Sequence, residues 1–316
     1  MAEPEELSDL PAGFVALVGQ PNVGKSTLMN AILETKVAIT TSKPQTTRNR
    51  ILGVQTFPEK GQLCFVDTPG IHRSSKRLNR AMTDIALRSL DEVDLVCHLV
   101  DAPRIVGWQK NKDEATGLPR DERFVMDRLH QREVPAILVV NKIDLVDDKN
   151  LLLPLIEAVM DAGEYLEVVP VSALNEENLD SLVDVLLGHL PERGMLFPPD
   201  MLTDRAERFI AAEFVREKIM EQTHEEVPYS VAVEVEQFRD DPRRDLLEIS
   251  VTIHVERDGQ KGILIGKKGS RIKSIGARAR TDLEAFFGKQ VYLETRVRVE
   301  SEWSENPRFL SRFDYE

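Results

Sequence analysis

Apolar residues recur along this chain in two rhythms. Short, β-branched runs stand at Phe14–Val18, 63–67, 94–100, 134–140 and 166–171, each the length of a buried strand. Between them, apolar positions fall at helical spacing over Leu28–Leu33, 76–90, 120–131, 149–162 and 177–190. Strand and helix thus alternate from Phe14 to about Leu190. This predicts an α/β domain with a mixed, mostly parallel sheet covered by helices on both faces. The rhythm breaks across Leu190–Asp200, where three prolines and a glycine mark a linker. A helix over 203–222, strands over 229–238 and 246–257, a glycine-rich basic helical stretch and a strand over 290–299 then predict a smaller α+β unit. The expected boundaries are a disordered acidic N-terminus (1–12), a first domain (13–190), a linker (191–202), a second domain (203–300) and a tail (301–316).

Composition narrows the picture. The 316 residues are 41% hydrophobic, enough to fill a core in each domain and to exclude disorder of the whole chain. The net charge of −13 argues against general polyanion binding, so any nucleic-acid site must be local. Cys64 and Cys97 sit in apolar strand-like runs and read as buried thiols. The N-terminus lacks the basic start and apolar stretch of a signal peptide, and no run of about 18 apolar residues occurs, so a soluble cytosolic protein is expected.

The first chemistry lies where the first strand meets the first helix. Gly19-Gln-Pro-Asn-Val-Gly24-Lys25-Ser26 has the spacing of a phosphate-binding loop, in which glycines let backbone N–H groups turn toward phosphate oxygens and the helix N-terminus adds a favourable dipole. Lys25 would reach the β and γ phosphates and Ser26 would ligate Mg²⁺. Gly19, Asn22, Val23, Gly24, Lys25, Ser26 and Thr27 are the expected nucleotide contacts here.

The base is read further on. Asn141-Lys142-Ile143-Asp144 stands at the carboxyl end of a strand, the edge where open α/β sheets bind ligands. A carboxylate at Asp144 accepts from the adjacent N1–H and N2–H₂ of guanine and meets an acceptor on adenine, so GTP or GDP is selected over ATP. Asn141 can bridge the loop and the base, and the Lys142 stem can cover the ring. Ser172, Ala173 and Leu174 at the next strand end add a contact to the guanine carbonyl.

Between these stations stands Asp67-Thr68-Pro69-Gly70. Asp67 is placed to hold Mg²⁺ through water, and the Gly70 amide to meet the γ phosphate. Upstream, Gln45-Thr46-Thr47-Arg48 suits a mobile loop with a hydroxyl on the metal; Thr47 is the choice and Thr46 the alternative. Lys25, Thr47 and Gly70 are the expected catalytic residues, and Ser26, Thr47 and Asp67 the metal set.

The second domain concentrates positive charge. From Arg257 to Arg280 there are eight Lys or Arg against one acid, Asp258. Inside this stretch, Gly266-Lys267-Lys268-Gly269 is a GxxG loop between an isoleucine-rich segment and a basic helix. Standing alone it would be a turn, and the charge run a solvated helix face. Flanked by helix, strands and a further strand, it has the make-up of a KH domain. Its glycines admit a nucleotide backbone, while Lys267, Lys268, Arg271 and Lys273 neutralise phosphates. Ile263, Ile265, Ile272 and Ile275 would wall a groove for bases. The expected RNA-binding residues are Ile265, Gly266, Lys267, Lys268, Gly269, Arg271 and Lys273.

Taken in order, GQPNVGKST, QTTR, DTPG, NKID, SAL and GKKG resemble the Era family of translation-factor-related (TrmE-Era-EngA-like) P-loop GTPases, over nearly the whole chain. The resemblance implies a type II KH domain and binding to the single-stranded 3′ end of 16S rRNA. It also implies a role in assembly of the small (30S) ribosomal subunit, in the cytoplasm, with peripheral association at the inner membrane left open. Ile71 follows Gly70 where many GTPases carry a water-positioning glutamine, so slow intrinsic hydrolysis, roughly 10⁻⁴ to 10⁻² per second, is expected. Asn22 stands where relatives recruit K⁺, a second ion to weigh beside Mg²⁺. His72 is read as a solvated loop residue sooner than as a group acting on water. The alternative function is an RNA-binding assembly factor in which GTP is a structural ligand with negligible hydrolysis. Pro103–Arg120 reads as a lengthened surface loop or a partner contact, and Trp303, Phe309, Phe313 and Tyr315 as aromatics packed on the second domain.

Overall fold

The computed structural model describes residues 9–72, 77–110 and 118–315. It divides into two compact units, which are taken in turn.

In the first unit, β1 (Ala12–Gly19), β2 (Ile51–Phe57), β3 (Gly61–Asp67), β4 (Leu95–Asp101), β5 (Ala136–Asn141) and β6 (Glu167–Pro170) form one sheet of order β2-β3-β1-β4-β5-β6. Only β2 runs antiparallel, paired to β3. Even-numbered positions such as Val18, Val96, Val100, Leu138 and Val140 face one layer. That layer is built from α2 (Arg77–Arg88), α3 (Ala102–Lys110), α4 (Arg120–His130) and α5 (Leu152–Met160). The other face takes α1 (Lys25–Ile32) and α6 (Leu179–Gly188). Because the central strands are buried on both faces, they read in sequence as continuous apolar runs and not as alternation. Parallel order also brings the carboxyl ends of β1, β3, β4, β5 and β6 to one edge, where every nucleotide motif lies.

Three expectations need correction. No strand was expected over 51–57, because Gly53 and Gln55 interrupt its apolar pattern; its pairing along β3 supplies the order that propensity lacks. Pro103–Arg120 is not one long loop. Residues 102–110 form α3, with Pro103 in the first turn, where a missing N–H costs nothing, and Asp101 Oδ1 accepting from the Arg104 N–H at 2.9 Å; 111–117 lie outside the described residues. Of the N-terminus expected to be disordered, residues 1–8 lie outside the described residues, but Pro11 accepts from Gln62 N–H and Ala12 begins β1.

The segment read as a linker packs along the first unit. Gln62, buried within β3, donates to Phe197 O and Thr56 Oγ1 at 2.9 Å each, and accepts from the Leu196 and Phe197 N–H groups. Phe197 meets Phe14 edge to face with centroids 6.0 Å apart, and Leu202 O accepts from Val54 N–H. Cys64 and Cys97 are free and buried, as expected.

The second unit holds α7 (Glu207–Gln222), β7 (Val231–Asp241), β8 (Leu246–Val255), α8 (Asp258–Ile265), α9 (Ser270–Phe287), β9 (Gln290–Val299) and α10 (Pro307–Arg312). Its sheet has the order β7-β8-β9, antiparallel then parallel. α7 and α9 pack together, with Phe214 and Phe286 5.5 Å apart. The tail folds on this unit: Trp303 is fully buried and donates its indole N–H to Ser230 O at 3.0 Å, and Leu310 and Tyr315 are buried with it. Residues 39–46 also belong here. Glu217 on α7 accepts the Thr40 N–H at 2.9 Å, and buried Arg216, paired to Glu213, donates to Thr46 O.

Candidate functional site

The phosphate loop turns tightly because its sequence permits it. Asn22 adopts φ +66° and Gly24 φ +101°; a Cβ on Gly24 would collide with the Asn141 side chain, so only glycine fits. α1 opens on Lys25 and Ser26, both buried. The Lys25 ammonium donates to Gly19 O at 3.2 Å and Gln20 O at 2.9 Å. Burial pulls its pKa down to about 8, opposed by the carboxylates of Asp67 and Glu122.

Ser26, Thr47 and Asp67 meet, although 41 residues separate the first from the last. Ser26 Oγ lies 2.5 Å from Asp67 Oδ2 and 2.8 Å from Thr47 Oγ1, which is itself 3.3 Å from Asp67 Oδ2. Thr46 goes elsewhere: its hydroxyl donates to Lys43 O and pairs with Thr41 Oγ1. Asp67 Oδ1 is buried with no hydrogen bond, and burial pushes this carboxyl up against the pull of Lys25. Two hydroxyls beside an unsatisfied buried carboxylate oxygen are a donor set of hard oxygens, and Mg²⁺ fits it.

Gly70 follows Asp67 by three residues and lies against the phosphate loop. A Cβ there would stand 2.6 Å from Pro21 N and 2.8 Å from Pro21 Cα, so no side chain can be added without moving backbone. The next N–H, of Ile71, donates to Gly19 O at 3.2 Å, and the Ile71 side chain is buried with Val18, Ala86 and Val125. It therefore has no access to a substrate water. His72 is not the solvated residue expected: it is half-buried, its Nδ1 lies 2.9 Å from Gly70 O, and its Nε2 is buried with no hydrogen bond.

The base-reading stations also converge. Asn141 Nδ2 donates to Val23 O at 2.7 Å and Asn141 Oδ1 accepts the Ala173 N–H at 3.0 Å, so one side chain ties the phosphate loop to the 172–174 turn. Ser172 Oγ donates to Asp144 Oδ1 at 2.6 Å and orients that carboxylate. Leu174 is exposed. Lys142 takes φ +64° and donates to Asn22 O and Asp101 Oδ2, both at 2.6 Å. Asp101 was missed in the sequence; its signal was its place at the carboxyl end of β4.

In the second unit, the GxxG segment is a tight turn between α8 and α9, with φ +71° at Gly266, +51° at Lys268 and +78° at Gly269. Lys267, Lys268 and Lys273 are exposed, whereas Ile265, Ile272, Gly266 and Gly269 are partly covered. Two expectations change. Ile275 is fully buried in the helix–sheet core and walls no groove. Arg271 donates to Ile263 O at 2.7 Å, closing the end of α8, so its guanidinium is partly engaged before any phosphate arrives.

A family described as 50S ribosome-binding GTPase matches residues 14–142, and a KH domain family matches 226–304. The chain is 46% identical over 304 residues to GTPase Era of Syntrophus aciditrophicus, covering 96% of this chain and 95% of that protein. It is 48% identical over 306 residues to GTPase Era of Geotalea uraniireducens, covering 96% and 98%. Two solved structures match with TM-scores of 0.89 at 42% identity, each covering 97% of this chain and 99% of the other: an Aquifex aeolicus Era variant bound to GDP·AlF₄⁻, and Era with MgGDPNP and nucleotides 1506–1542 of 16S ribosomal RNA. The chain belongs to the Era family of GTPases, with a P-loop GTPase domain followed by a KH domain.

Proposed function

We propose that this GTPase binds the single-stranded region near the 3′ end of 16S rRNA through its KH domain and serves small-subunit assembly as a GTP-dependent switch. The observation that carries the RNA side is the turn at Gly266–Gly269, where Lys267 and Lys268 stand exposed between two helices in an otherwise acidic chain. The Era structure solved with 16S rRNA nucleotides 1506–1542 shares 42% of its sequence with this chain and supports the same reading. We place the protein in the cytoplasm; among the described residues no helix is long and apolar enough to cross a membrane.

For the nucleotide, we assign the guanine edge to Asp144, oriented by Ser172, and the carbonyl edge to the Ala173 turn. Lys25, the loop amides and the Gly70 N–H receive the β and γ phosphates. Ser26 and Thr47 hydroxyls, with Asp67 through water, hold Mg²⁺, which when bound supplies positive charge against the phosphate oxygens. With Ile71 buried, no side chain at that position orients water, so hydrolysis proceeds slowly on electrostatics and positioning. K⁺ at Asn22 is a second proposed ion; equal turnover in sodium and potassium would remove it. Replacing Lys267 and Lys268 together by Asp tests the RNA assignment. RNA of the 16S 3′ end should lose binding by at least about tenfold in a filter assay, while GTP turnover without RNA stays near that of the unmodified protein. Retained RNA affinity would overturn it.

A further inference from the structure

Beneath the phosphate loop lies a buried polar cluster that the nucleotide motifs do not account for. Glu122, on α4, is 2% exposed and sits beside the apolar cluster of Val125, Leu129 and Val18. Its Oε2 accepts from Gln20 Nε2 at 3.2 Å. Its Oε1 lies 2.9 Å from Nε2 of fully buried His98, close but without the alignment of a hydrogen bond. His98 Nδ1 in turn lies 2.6 Å from the Tyr165 hydroxyl. His98 is the cross-strand partner of Val18, so the cluster stands at the root of the loop that starts at Gly19.

Gln20 is the second residue of that loop and is itself buried. Its side chain is held from both ends: the amide N–H by Glu122 and the amide oxygen by the Arg104 guanidinium. A carboxylate accepts only and a guanidinium donates only, so these partners fix which way the amide points. The backbone oxygen of the same residue accepts from Lys25 Nζ at 2.9 Å. A carboxylate removed from water in an apolar layer persists only where its lone pairs are engaged. Here the one hydrogen bond made to that carboxylate among the described residues comes from Gln20 of the phosphate loop, while its other oxygen lies beside the His98 ring without a bond.

We propose that Glu122 is a positioning residue for GTP hydrolysis: acting through Gln20, it fixes the entry of the phosphate loop and the carbonyl against which Lys25 is set. It touches neither nucleotide nor metal in this role. Small errors in the placement of a group facing the reacting phosphate are expensive in rate, which makes a side chain one step removed from the loop consequential.

The test is a double-mutant cycle in the full chain with the near-isosteric substitutions Gln20→Met and Glu122→Met, which remove hydrogen bonds while conserving volume. Each single variant should lose roughly ten- to a hundredfold in kcat/KM for GTP. The double variant should lose no more than Gln20→Met alone, because both act through one contact. Glu122→Gln, which retains an acceptor for the Gln20 amide, should recover most of the loss. Circular dichroism and RNA affinity identify folded variants, and should Glu122→Met fail to fold, Glu122→Gln compared with Gln20→Met decides. Multiplying losses in the cycle, folded variants with unchanged kcat/KM, or a Glu122→Gln variant as impaired as Gln20→Met would each overturn the proposal.

Discussion

At the scale of single residues, chemistry here is set by what each group faces, and particular neighbours make two of them testable. Asp144 accepts from Ser172 Oγ on one oxygen; in the proposed assignment its other acceptor positions meet the two adjacent donors of guanine. Asp144→Asn presents a donor in their place, so preference should move from guanine toward xanthine nucleotides by at least about a hundredfold, read by competition binding; GTP affinity equal to that of the parent protein would refute the base assignment. Lys25 is buried, and its ammonium is pulled down to about 8. In the proposed site the charged form is the one that pairs with phosphate, and it prevails below that pH. Affinity of the free protein for GTP should therefore hold at about pH 7 and fall as pH rises through 8, measured by titration calorimetry. A flat profile to about pH 10 would contradict it. The identity of these residues was legible in the sequence because the chemistry demands fixed types at fixed spacing. What was not legible was the choice between Thr46 and Thr47. Adjacent threonines in a polar loop are equivalent until the chain is folded, when one hydroxyl meets Asp67 and the other meets Thr41.

At the scale of elements, parallel strands buried on both faces announce themselves, and each was placed to within a few residues. β2 was not, since it borrows its order from β3. Likewise α3 was hidden by Pro103, a residue that breaks helices in their interior and starts them at their first turn. The docking of 191–202 was hidden for a different reason: prolines mark the segment, but its anchor is Gln62, an amide inside a strand whose partners lie more than 130 residues away. Gln62→Leu keeps most of the volume and leaves the partly buried Leu196 and Phe197 N–H groups and Phe197 O without this partner. It should lower stability of the GTPase unit by about 2 to 4 kcal/mol in urea unfolding; a loss below about 0.5 kcal/mol would show that the segment is held by its apolar contacts alone.

At the scale of the whole molecule, a chain of net charge −13 carries the basic charge proposed to meet RNA as a local exception. Such a site is felt only at short range, since screening confines it to about 8 Å at physiological salt. RNA affinity should accordingly fall with salt on a shallow slope that reflects few phosphates. Replacing Lys267 and Lys268 should flatten that slope by about 1.4 in log–log terms, about 0.7 for each phosphate that is no longer neutralised.

Only two tryptophans occur in the chain, Trp108 and Trp303. The second is wholly enclosed, its indole tied to a backbone oxygen. A Trp108→Phe protein would thus carry a single tryptophan, lodged in the C-terminal unit and excited apart from the four tyrosines at the red edge of absorption, emitting at short wavelength while that unit is folded and shifting red as it opens. Melting of the KH-domain half can be followed optically in the intact polypeptide, without a label and without separating the two halves.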